Sequence, residues 1–199
     1  MLLDERELDV FKELINIGVG KSAGLLNELV ESPIKLNVPK IKVCKVEELI
    51  NQLPTENLSK YYAVKLNFTG KFSGTAQIVF PSESGNNLVS LLTGEEKYSN
   101  ELDNVRAGTL NEVANMLLNG VMGSISNLLK DRFEYSIPVY FEDLLNNLLN
   151  NKSVKESVVL FGETHFEVEN LSIEGDIIII LELPSFSNLK AELNKLLDE

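Results

Sequence analysis

The chain has 199 residues, a formal net charge of -12 and a pI near 4.6; an acidic surface of this kind argues against nucleic acid and anionic membrane as partners and for another protein. Hydrophobic residues make up 44% and charged ones 24% of the sequence, which supplies an ordinary core and leaves no long biased tract of the disordered type. A single cysteine, Cys44, excludes an internal disulfide and a multi-cysteine metal site. It also fits a reducing compartment. The acidic start MLLDERELDVF lacks the basic stretch of a signal peptide, and no apolar run approaches membrane-spanning length, so a cytoplasmic protein is expected.

In chain order, Asp4 followed by Glu7 reads as a capping box, and Leu8, Phe11, Ile15, Val19 and Leu26 recur at helical spacing to about Val30. Ile34 to Val46 alternates as a strand, Val46 to Leu53 reads as a short helix, and Pro54 stops it. Strands are expected at Tyr62 to Thr69 and Phe72 to Phe80 around a turn at Gly70, then a helix from Pro81 through Leu92, ended by Thr93-Gly94. The polar stretch Glu95 to Asn104 forms a seam. A second long helix overlaps it from about Asn100 to Leu129. Next come a strand at Ile137 to Phe141, a short helix at Glu142 to Leu149, paired strands at Val154 to Glu169 and Leu171 to Leu183, and a helix from Ser185 to Leu197.

One pattern occurs twice. Glu13-x-x-Asn16 is followed by Pro39 and Glu112-x-x-Asn115 by Pro138, with 22 residues between asparagine and proline in each copy and 99 residues between copies. An internally duplicated α+β domain is therefore expected, with half-repeats of about 1–98 and 99–199, one shared sheet, and the two motif helices on one face. Residues three, four and seven apart share a helical face, so Asp9, Glu13, Asn16 and Gly20 form one polar stripe and Gly108, Glu112, Asn115 and Asn119 another. Leu8, Phe11 and Ile15, and Leu110, Val113, Ala114, Leu117 and Val121, turn to the core. Gly18, Gly20 and Gly24 each weaken a helix by up to about 1 kcal/mol, so close packing against that backbone is expected.

A fixed acid and amide without a nearby histidine or thiol make a weak nucleophile and a good positioning site. The amide can orient a water and the carboxylate can hold a cation of a docked protein. Hydrolysis of a reactive phosphoryl group needs little more, and the phosphoprotein can supply the metal and cation itself.

The repeated Glu-x-x-Asn with its distant proline, preceded in the first copy by Asp9, resembles the signature of the CheC/CheX/FliY phosphatases of bacterial chemotaxis. Two copies in this length are most similar to the CheC type. The resemblance implies dephosphorylation of a CheY-type response regulator, with Asn16 and Asn115 orienting the attacking water and Glu13 and Glu112 pairing with the regulator's lysine. Asp9 is then an accessory on the same face, Pro39 and Pro138 are structural, and Mg2+ is carried by the regulator, the chain having no cofactor of its own. A CheD-type deamidase is implied as a further partner. The pattern departs at Gly108, where the family has aspartate or serine. Thr109 points about 100° away and does not replace it.

Simpler explanations apply elsewhere. A lone Glu-x-x-Asn is usually a solvated helix face, and His165 on a strand carries no assigned role. Lys35, Lys40, Lys42 and Lys45 read as a strand edge guarded by charge, and Met116, Leu117, Leu118, Val121 and Met122 as core. A non-catalytic binding module or a flagellar-switch relative is the competing reading.

Overall fold

The computed structural model describes residues 2–30, 34–52, 60–94, 102–149, 157–168 and 171–197. Its elements are α1 (Glu5–Val30), β1 (Ile34–Lys45), α2 (Val46–Gln52), β2 (Lys60–Thr69), β3 (Gly74–Pro81), α3 (Ser82–Thr93), α4 (Leu102–Leu128), β4 (Glu134–Tyr135), β5 (Val139–Leu144), α5 (Leu145–Leu149), β6 (Val158–Val168), β7 (Leu171–Leu181) and α6 (Leu183–Leu197). The order α1-β1-α2-β2-β3-α3 thus recurs as α4-β5-α5-β6-β7-α6, with β4 as an added short strand.

All seven strands form one antiparallel sheet in the order β1-β6-β7-β3-β2, with β4 and β5 both paired to β2. The centre of the sheet is covered on both faces, and its strands read accordingly. In β7, Ile177, Ile179 and Leu181 pack under the long helices while Ile178 and Ile180 join Cys44, Val46, Leu49, Ala63, Val79 and Val159 under α2 and α5. That is why five consecutive apolar residues occur there instead of an alternation. Phe11, Ile15, Leu26, Leu110 and Leu117 of the two long helices are fully buried against the sheet, each stabilising by about 2 kcal/mol on area grounds.

The capping box forms as the sequence predicts: Asp4 donates its backbone N–H to Glu7 Oε2 at 2.7 Å, and Glu7 N–H reaches Asp4 Oδ1 at 2.9 Å. Glu7 is only 1% exposed, and Lys190 Nζ on α6 lies 3.3 Å from its carboxylate. The cap therefore also ties α1 to the last helix. Gly94 closes α3 in the left-handed region at φ 70° and donates to Ser90 O at 2.9 Å. Glycine fits there without strain.

Several boundaries differ from the sequence expectation. Phe72 belongs to the turn before β3, where its ring meets Phe68 and Phe133. Ile137 and Pro138 precede β5, and Glu142 lies in the strand rather than in the short helix, because Tyr62 of β2 pairs with it. Leu53, Pro54, Val154 and the greater part of the Glu95–Asn104 seam fall outside the described residues. β1 lies at one edge of the sheet and its four lysines are exposed, in keeping with charge protection of an edge.

Candidate functional site

Two long helices can cross closely only where side chains are absent. A Cβ on Gly18 would stand 2.5 Å from Val121 Cα and 2.6 Å from Gly120 O, so α1 and α4 are in backbone contact there. Ser22 Oγ lies 3.0 Å from Gly18 O and 2.9 Å from Met116 O, joining the helices by a hydrogen bond. Gly18 therefore meets the close approach expected of it. Gly20 and Gly24 do not: nothing lies within 4 Å of a Cβ at either, and both are exposed.

Glu13 and Asp9 are exposed on α1, and Asn16 is half-buried one turn beyond Glu13. Asn16 Oδ1 accepts a hydrogen bond from the backbone N–H of Val38 at 3.3 Å, across 22 residues of sequence. This contact depends on an irregularity in β1. Asn37 pairs with His165 and Lys40 with Glu163, so Val38 and Pro39 together stand opposite one residue, Thr164. Such a bulge is among the few places a sheet accepts proline, which has no N–H for the ladder. It also switches the face of the strand. Ile34, Leu36 and Val38 point to the helices before it, and Ile41 and Val43 after it.

In the second copy Glu112 is exposed and Asn115 half-buried, again one turn apart. Here Asn115 Oδ1 accepts from Asn119 Nδ2 at 3.0 Å, within its own helix. Ser136, Ile137 and Pro138 stand between β4 and β5 opposite Leu66 and Asn67, also one residue in excess. Ser136 is bonded to Asn67 through both its backbone N–H and its hydroxyl. Ile137 is 85% exposed. Gly108 is exposed with no atom within 4 Å of a Cβ, so no packing demand accounts for a glycine there.

The helices run in opposite senses at the crossing, Gly18 facing Gly120 and Val121 while Ser22 faces Met116. Each motif precedes the crossing in its own helix. They therefore lie on opposite sides of it, roughly 15 Å apart along the pair at 1.5 Å per residue. The fold keeps two separate acid–amide pairs and does not join them.

Neither pair lines the two grooves formed by the described residues. A groove of about 390 Å³ opens by Lys65, Thr75, Gln77, Leu148 and Ile180 on the face of α5, and another of about 490 Å³ by Leu3, Leu8, Ile41 and Lys45. Small-molecule sites are concave, whereas these motifs stand on an outward helical surface suited to a macromolecule that brings its own cleft. Among the described residues no group of three or more His, Cys, Asp or Glu side chains is placed to hold a metal ion, and no helix is long and apolar enough to cross a membrane.

Two parts of this surface carry no motif in the sequence. Val38 contributes through its backbone, which no motif search weighs; the trace it leaves is the change of apolar parity from Val38 to Ile41. Ile17 is 43% and Leu25 53% exposed, Ile17 lying about 40° from Glu13 around the helix. An apolar residue inside a polar stripe was the available signal.

No family model matches the chain. The CheY-P phosphatase CheC of Bacillus subtilis is 22% identical over 160 residues, 79% of this chain and 76% of CheC. The flagellar motor switch phosphatase FliY of the same organism is 23% identical over 138 residues, 68% of this chain and 35% of FliY. Among solved structures, Thermotoga maritima FliY superposes with a TM-score of 0.76 at 20% identity, over 98% of this chain and 99% of that one. FliM in the FliG–FliM complex of H. pylori gives 0.68 at 11%, covering 95% and 100%. The CheX–CheY–BeF3–Mg complex of Borrelia burgdorferi gives 0.55 at 18%, covering 86% and 99%. The chain is homologous to CheC and FliY and has the α+β fold that FliY and FliM share.

Proposed function

We propose that this chain is a CheC-type phosphatase that hydrolyses the aspartyl phosphate of a CheY-type response regulator. The observation that carries the reading is the pair Glu13 and Asn16 on an outward helical surface, with the asparagine oxygen held by Val38 N–H. That oxygen retains a second lone pair and the amide nitrogen both hydrogens. The side chain can then accept from a water and donate to a phosphoryl oxygen at once. Water attacks phosphorus as the acyl phosphate P–O bond breaks, releasing inorganic phosphate and the regulator's aspartate. Glu13 pairs with the regulator's phosphate-site lysine and seats Asn16 over the phosphorus. Glu112 and Asn115 hold the same roles at the second site, and Asp9 assists the first. Mg2+ belongs to the regulator and supplies charge neutralisation there.

Support also comes from the organisation of the chain, which we read as a duplication of about 1–98 and 99–199. Exchanging the halves turns β1-β6-β7-β3-β2-β5 into its own reverse, so each half completes the other's sheet. The comparisons connect CheY to a CheX of this fold and FliG to a FliM of this fold; they give no support to a CheD-type partner.

A second reading, a non-catalytic switch-type binding module, is favoured by the likeness to FliM and by Gly108 in the second motif. Decay of a phosphorylated CheY-type regulator in Mg2+ separates the two. Faster decay with wild type, lost in Asn16→Ala/Asn115→Ala, supports the phosphatase; saturable binding with unchanged decay rejects it.

A further inference from the structure

The 22-residue spacing between asparagine and proline needs a physical cause, and the first half of the chain contains one. Proline has no N–H to give to a ladder, so within a sheet it is confined to edge strands and bulges, and Pro39 stands at a bulge on the edge strand β1. At Val38–Pro39 the skip leaves two residues opposite Thr164 and moves the pairing of β1 with β6 by one. Val38 keeps its side chain in the core at 1% exposure and sends its N–H to Asn16 on α1. Donor and acceptor are 22 residues apart in sequence, and Pro39 follows the donor directly.

We infer that the Val38–Pro39 bulge is a positioning element for Asn16, fixing the orientation of its amide, and that the first site consequently carries most of the turnover. An amide free to rotate presents oxygen or nitrogen to the phosphoryl group in turn. Tying the oxygen to a backbone donor settles which end faces the helix and which faces the substrate. The second half has the same excess residue around Pro138, but its asparagine oxygen is taken by the exposed Asn119 of the same helix. Asn115 is thus tied to an exposed side chain of its own helix instead of a strand.

This inference rests on the phosphatase reading for its consequence and not for its geometry, and the two are tested apart. Amide hydrogen exchange of Val38, followed by NMR without any regulator, reads the bond alone. Exchange in Asn16→Leu is expected to quicken about five- to tenfold, the loss of one hydrogen bond of ordinary strength. In Asn16→Asp, which keeps an acceptor and loses the donor, protection is expected to remain while turnover is lost. Pro39→Ala, which restores an N–H and frees the bulge to shift, should release Val38 and lower kcat about tenfold with KM for the phosphorylated regulator little changed. Val38 exchange that is the same in wild type and Asn16→Leu overturns the inference, as does a Pro39→Ala protein that loses kcat with Val38 still protected. Should Pro39→Ala not fold, the Asn16 variants decide, since that side chain lies at the surface. A wild-type chain without phosphatase activity but with Asn16-dependent Val38 exchange rejects the function and the claim about turnover while leaving the bond in place.

Discussion

The first and second motif sites share an acid, an amide and a proline at equal spacing, yet their asparagines are held in different ways. Asn16 is anchored to a strand and Asn115 to a neighbour on its own helix. Sequence identity of a motif thus preserves the acid and the amide without preserving what holds the amide. On the proposed phosphatase reading, an oriented amide loses little freedom when substrate arrives, which would lower the barrier of a reaction governed by positioning.

The helix crossing lies between the two sites, so disturbing it should affect both. Gly18→Ala forces a methyl against Val121 Cα and Gly120 O and should cost about 3 kcal/mol of stability in urea unfolding, with both sites affected. Gly20→Ala, where the space is open, should instead stabilise by up to about 1 kcal/mol. Equal effects of the two alanines would show that the crossing is not close.

Activity discriminates the sites next. Asn16→Ala should slow regulator dephosphorylation roughly a hundredfold, and Asn115→Ala less than about twofold. The reverse ranking, measured as phosphate release at saturating regulator, assigns the work to the second site.

A smaller difference concerns charge. Lys40, just past the bulge, lies 3.2 Å from Glu163, which pairs across β6 and β7 with Asp176. Burial, with Glu163 and Glu174 nearby, pushes the Asp176 carboxyl up to about 7. Between about pH 4 and pH 7 the folded chain holds a proton that the unfolded chain has released, so stability falls as pH rises through that window and stays lower above it. Asp176→Asn should therefore stabilise by about 2 kcal/mol at pH 8 and by almost nothing at pH 4 in thermal melts. A gain equal at both pH values would rule out this titration as the cause.

The least effect is expected from Gly108→Asp, which restores the first motif position in open space. Helix stability should rise by less than about 1 kcal/mol, and turnover in the Asn16→Ala background should increase about twofold if Gly108 contributes to the second site's weakness.

Much of the fold was legible because it obeys simple periodicities. The capping box, the α1 face with Phe11 and Ile15 inward and the β2–β3 and β6–β7 pairs all follow from local pattern. The boundaries around β4 and β5 were less legible. Ile137 looks like a strand residue by propensity, but Pro138 and the bonds of Ser136 to Asn67 keep it out of the ladder. The glycines of α1 were likewise ambiguous. Gly18, Gly20 and Gly24 have the same chemistry, and only the position of α4 distinguishes the one in contact from the two in solvent.

By itself the sequence determined which residues repeat, which helix faces are polar and which acid and amide stand together, because each is a matter of spacing along one element. Tertiary structure decided that the two motifs lie apart, that α1 and α4 touch at Gly18 and that Asn16, unlike Asn115, finds a backbone donor on a strand. Those outcomes depend on how the elements meet, and a hydrogen bond supplied by a main-chain N–H leaves no residue type behind to announce it.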